Sequence, residues 1–217
     1  MEWGERADAA IARYRGGEAR GLDQRQLTQL ANAAWAAGTS LLMDGRQAEA
    51  EEWLRTAAER YRESWEGAPP DSWGRPIAAM KALLLAGEDA SWAARWALAA
   101  GAADAASPIG VYAATLALLV LGDDAGARPA ATSLLVRDDF PDDVARALAA
   151  LAARDGERYA AAARQVLASF ESRSEFLEDV PVADTVLTLQ ALAEQRGATV
   201  ALPPSPLLPR LNGDCHR

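Results

Sequence analysis

Four glycines punctuate this chain at matching places: "LLMDGRQAEAEE", "LLLAGEDAS", "LLVLGDDAG" and "LAARDGERYAAA". Gly45, Gly87, Gly122 and Gly156 each follow an apolar, helix-favouring run and precede an acidic or alanine-rich one. Glycine is favoured just past a helix end, because the left-handed backbone that closes a helix carries no Cβ penalty there. The glycines are spaced by 42, 35 and 34 residues. That approaches the period of about 34 residues of tetratricopeptide helix hairpins. The full signature of that class is absent, so the expectation is a repeat-like antiparallel array of helix hairpins.

The segments between the glycines read as helices. Leu27, Leu30, Ala31, Ala34, Trp35, Leu41 and Leu42 fall on one stripe, and Trp53, Leu54, Ala57, Tyr61 and Trp65 on a second. Pro69 and Pro70 stop that second helix. A third helix carries Ile77, Met80, Leu83 and Leu84, and a fourth Trp92, Trp96 and Ala100. Ser107 before Pro108 is an N-cap followed by proline at the first helical position. Further helices are expected over 124–136, 141–154, 156–170 and 181–196. The fold class is therefore all-α, a tetratricopeptide-like α/α superhelix of about nine to ten helices. Residues 1–200 make a single helical-repeat domain and 201–217 a proline-rich, extended C-terminal tail.

In such an array the glycine turns share one end. The connectors near 66–72, 101–108, 137–143 and 171–181 share the other. Two connectors are acidic: Asp138, Asp139, Asp142 and Asp143 in one, Glu171, Glu175, Glu178 and Asp179 in the next. They are expected to form one negative edge. Within the second, Ser172 and Glu175 have capping-box spacing and would start a short helical turn, with Phe176 and Leu177 anchoring it. Asp184 opens an apolar helix, where the dipole favours an acid, and is read as a structural acid with Arg173 as its partner. All seven tryptophans lie in the first 96 residues. Trp65, Trp73, Trp92 and Trp96 either fill gaps between alanine-lined helices or line an aromatic groove.

The reactive inventory is thin. Cys215 and His216 are the only residues of their kinds, and both lie in the tail. That removes Cys-His and Ser-His-Asp catalysis and most zinc sites. Neither a metal nor a cofactor is expected. A phosphate-binding Gly-Lys-Ser/Thr loop is missing, and Lys81 is the only lysine. Net charge of −9 argues against nucleic acid and anionic membrane and for a basic protein partner. A lone cysteine and the lack of an apolar signal core or a membrane-length apolar run fit a soluble protein of the cytoplasm. Paired carboxylates at Glu171, Glu175 and Glu178 leave one enzymatic reading, acid–base chemistry, which requires a carboxyl with a raised pKa in a cleft.

The order "ALAALAARDGERYAAAARQVLASFESR", "VPVADTVLTLQALAEQRG" and "TVALPPSPLLPRL" resembles the all-α immunity proteins of bacterial polymorphic-toxin systems, immunity family forty-nine. The shared layout is an Arg154-Asp155 turn, an aromatic-rich corner, an apolar helix closing on Gly197 and a Ser-Pro-Leu-Leu-Pro tail. "SWGRPIAAMKALLLAGEDASWAARWAL" is similar to that family's tryptophan-bearing middle hairpin. The resemblance implies a non-catalytic protein that binds and neutralises a cognate toxin, and it transfers no catalytic residues. The acidic edge would face a basic toxin domain. The rival readings are a tetratricopeptide-like peptide-binding adaptor or chaperone using the tryptophan groove, and a carboxylate-dependent enzyme.

Overall fold

The computed structural model describes residues 2–210, and Cys215 and His216 lie outside that range. Ten α-helices and two short 3-10 turns account for its regular structure, with no strand among the described residues. The helices are α1 (Trp3–Gly17), α2 (Gln24–Met43), α3 (Gln47–Glu63), α4 (Gly74–Leu85) and α5 (Ser91–Ala99). They continue with α6 (Pro108–Val120), α7 (Asp124–Leu134), α8 (Asp142–Ala153), α9 (Gly156–Glu171) and α10 (Asp184–Glu194). Among the described residues, no helix is long and apolar enough to cross a membrane.

Consecutive helices pack on one another from α1 to α9, so the hairpins expected from the glycine pattern, α2–α3, α4–α5, α6–α7 and α8–α9, are present within a continuous stack. Each pair closes through the same double hydrogen bond. Gly45, Gly87 and Gly122 adopt left-handed backbone (φ 80, 70 and 75°). Their N–H groups donate to Leu42, Leu84 and Leu119, and the next N–H reaches back to Leu41, Leu83 and Leu118. That pattern satisfies carbonyls otherwise orphaned at a helix end. The fourth turn departs from expectation. Arg154 takes the left-handed position (φ 55°) and donates to Leu151 O, while Gly156 is the first residue of α9. Asp123 and Asp155 then cap α7 and α9, accepting from Gly126 N and Arg158 N. Ser107 caps α6 as its sequence indicates, accepting from Gly110 N.

Small residues let the helices approach closely. A Cβ on Gly38 would meet Leu54 Cγ at 2.6 Å, so the contact between α2 and α3 depends on its absence. Leu41, Leu54, Met80, Leu116, Leu148 and Leu189 are fully buried. Each contributes about 1.5–3 kcal/mol by leaving water.

α4 touches α6, and α6 touches α8, so alternate helices form an inner row. In an open superhelix the face of that row would be a groove. Here α10 lies across it, against α4, α8 and α9. Residues 172–183, a strap between α9 and α10, run back to α2, which the second 3-10 turn (Leu177–Asp179) contacts. The tail then follows α10: Leu207 O accepts from Ala183 N, Gln190 donates to Val200 O, and Leu207 is buried. The boundary expected at residue 200 thus does not detach the described part of the tail from the core.

Candidate functional site at the connector end

The turn between α7 and α8 holds four acids in three different states. Asp138 is exposed and unpaired among the described residues. Asp139 takes both oxygens' worth of Arg137 (2.8 and 3.0 Å), which holds its carboxyl below the ordinary value. Asp142 is exposed and binds Arg146, whose Nε lies at 3.1 Å. Asp143 is half-buried: Oδ1 accepts from Val144 N, and Oδ2 is buried without a partner. Asp142 and Asp143 begin α8, where the helix dipole favours acids. Both therefore have a structural role beside any binding role.

Apolar side chains accompany these acids. Val136 is 84% exposed, and Leu135 and Ile109 are about 40% exposed. Arg137 also donates to Ala106 O (3.2 Å), and Tyr112 lies against Phe140 (5.4 Å). These contacts join the start of α6 to the end of α7. Exposed Leu135 and Val136 thus closely precede the exposed carboxylates of Asp138 and Asp139, and the Arg137 contact ties the start of α6, which carries Ile109, to the same turn.

The second acidic segment is not the compact corner its sequence suggests. α9 runs through Glu171, and the Ser172 hydroxyl donates to Ser169 O instead of capping a new turn. Glu171 and Glu175 stay exposed at the connector end and are unpaired among the described residues. Glu178 is carried across to α1, where Arg13 binds it at 3.1 Å, and Arg6 donates to the backbone carbonyl of Asp179 at 2.7 Å. Glu178 and Asp179 both sit in left-handed backbone (φ 53 and 56°), a conformation that costs non-glycine residues energy and needs such restraint. Of the eight acids expected along one edge, Asp143 is half-buried and the Glu178–Asp179 pair is drawn onto α1, which leaves Asp138, Asp139, Asp142, Glu171 and Glu175 as the exposed acids of the two connectors.

Asp184 is a structural acid with a different partner from the one sequence proximity suggests. Its Oδ2 accepts from Lys81 Nζ on α4 at 3.0 Å, and Lys81 also donates to Thr185 Oγ1 at 2.8 Å. Burial pushes the Lys81 ammonium down, but the Asp184 carboxylate and Tyr112 together outweigh that effect and leave its pKa raised. Arg173 instead sits over Phe170, its Cζ 3.7 Å from the ring centre. No family model, no curated protein and no solved structure matches this chain.

A second buried charge cluster pins the other end of α10. Asp124 receives Arg196 Nε at 3.0 Å and Arg154 Nε at 2.7 Å. Arg196, only 3% exposed, also donates to Leu119 O and Leu192 O. Burial would raise the Asp124 carboxyl, and the two arginine hydrogen bonds more than reverse that. Sequence reasoning missed Lys81, Asp124 and Arg196. The signal for Lys81 was present: one charge inside "IAAMKALLLAG" must find a partner or stay out of the core.

The four tryptophans do come together, but as packing. Trp65 touches Trp73 and Trp96 (5.9 and 5.5 Å), and Trp92 stacks on Trp96 (6.4 Å, 12°). Trp73 and Trp96 are buried, and only Trp92 reaches 38% exposure. They fill the space between α3, α4 and α5 and leave the inner face to α10.

Proposed function

We propose that this chain is a non-catalytic protein-binding protein of the immunity type, which neutralises a toxin domain by docking a basic surface on the connector end. The observation that carries this reading is the coincidence, at that end, of exposed carboxylates with the exposed side chains of Val136, Leu135 and Ile109. Apolar centres with polar rims are the common anatomy of protein interfaces. Glu171 adds a specific argument, because an acid in the last position of a helix opposes the dipole and does nothing for the helix itself. The adaptor reading needs an open inner face, which α10 and the strap occupy. The enzymatic reading needs paired carboxyls in a cleft, whereas Glu178 is tied to Arg13, Asp184 is tied to Lys81, and of Glu171, Glu175 and Glu178 only Glu175 lines the cavity at this corner.

The test is co-expression with the product of the adjacent reading frame, followed by binding at two salt concentrations. Binding that weakens steeply with salt and fails in Asp138→Lys plus Asp142→Lys is the expected outcome. Growth protection that survives this double charge reversal and a Val136→Asp change would sink the proposal.

A further inference from the structure

Beneath the strap lies a cavity of about 290 Å³, bounded by Trp35 of α2, Phe170 of α9, and Phe176 and Val182 of the strap. Its size lies just below that of drug-sized ligand sites, which run from about 300 to 1,000 Å³, and suits a smaller molecule. It opens to solvent on the side of Arg173, Glu175 and Leu177, which are exposed. The strap has the means to fill the cavity and does not: Leu177 borders it yet is 48% exposed. The left-handed pair Glu178–Asp179, fastened by Arg13 and Arg6, sets that course of the chain. Backbone strain of this kind recurs where a shape is held for binding.

The polar groups of the cavity are unequal. Asp184 at its floor is neutralised by Lys81 at 3.0 Å. Glu175 is exposed at the mouth and free to remain hydrated. Arg173 lines the cavity with its guanidinium over Phe170, and it joins no ion pair among the described residues. The ring contact restrains the guanidinium, and its N–H groups, which make no hydrogen bond among the described residues, remain available to a bidentate acceptor.

We propose that this cavity binds a small carboxylate with an aromatic or short aliphatic body, the carboxylate held by Arg173 and the body lodged against Trp35, Phe170 and Val182. This site shares Glu175 with the connector-end acids but uses none of Asp138, Asp139 or Asp142, and its test uses no protein partner. Phenylacetate is titrated calorimetrically into the full-length protein, with benzylamine as the probe of opposite charge. Saturable binding of phenylacetate, weakened about tenfold or more by Arg173→Gln, is expected from the loss of a charge-assisted contact. Glu175→Gln removes the nearest free acid and is expected to tighten phenylacetate binding without disturbing the wall. Absence of saturable phenylacetate binding, an affinity indifferent to Arg173→Gln, or preferential uptake of benzylamine would each overturn the assignment.

Discussion

Asp124 is buried, receives two arginines and begins a helix, and every one of those facts favours its charged form except the first. Removing its charge strands Arg196, whose side chain is 3% exposed and whose other partners are two neutral carbonyls. Asp124→Asn is expected to cost about 3–5 kcal/mol, the usual range for breaking one side of a buried pair. Replacing both ends, Asp124→Leu with Arg196→Met, is expected to cost less than that single change, since no charge is then left unpaired. The pH dependence has a definite sign. The folded carboxyl lies below the ordinary value of about 3.9. Its stabilisation is complete above that value and disappears as pH falls through the lowered one. Urea midpoints of wild type and Asp124→Asn are therefore expected to lie far apart at pH 7 and to converge toward pH 2. A constant separation would show that the carboxylate charge is not what holds α10. None of this was legible in sequence, because Asp124 and Arg196 are 72 residues apart and each looks like an ordinary surface residue at a helix end.

Helix positions were the most readable level, since apolar periodicity, Ser107-Pro108 and the glycine stops are local signals. The misreadings were local too. Arg154 replaced glycine at the left-handed position of the fourth turn, a conformation that an L-residue adopts rarely. The Ser172-x-x-Glu175 spacing suited a capping box, but the strap's course is set by Arg6 and Arg13 on a helix far away in sequence. Glycines separate the two kinds of constraint at this scale. Gly38→Ala would place a Cβ 2.6 Å from Leu54, and overpacking at such a contact costs about 1–3 kcal/mol. Gly74→Ala begins α4 with open space around it and lacks the left-handed φ, so it is expected to be neutral or stabilising by up to about 1 kcal/mol. Thermal melts of the two variants side by side check this. Equal melting temperatures would mean that α2 and α3 can separate freely enough to accept a methyl group.

An open repeat array behaves as a chain of nearest neighbours, in which a terminal helix stabilises only the helix beside it. This molecule should not behave that way. α10 follows α9 in sequence but packs on α4 and α8 as well, and Lys81–Asp184 and Asp124–Arg196 tie its two ends to α4 and to α7. Hydrogen exchange can tell these architectures apart, because amides that open in one cooperative step share one opening free energy. Leu189→Ala deletes a fully buried side chain from α10, at a cost of about 2–5 kcal/mol. Amides of residues 78–85, in α4, are expected to lose as much protection as those of 188–194 in α10, although some 100 residues separate the two helices, as the Lys81–Asp184 separation of 103 shows. In an unclosed array the loss would stop at α8 and α9, and α4 would exchange as in wild type. That second pattern would mean that α10 rests on the inner row without being part of its folding unit. The inner face would then be accessible after all, and the peptide-binding reading would regain the surface it needs.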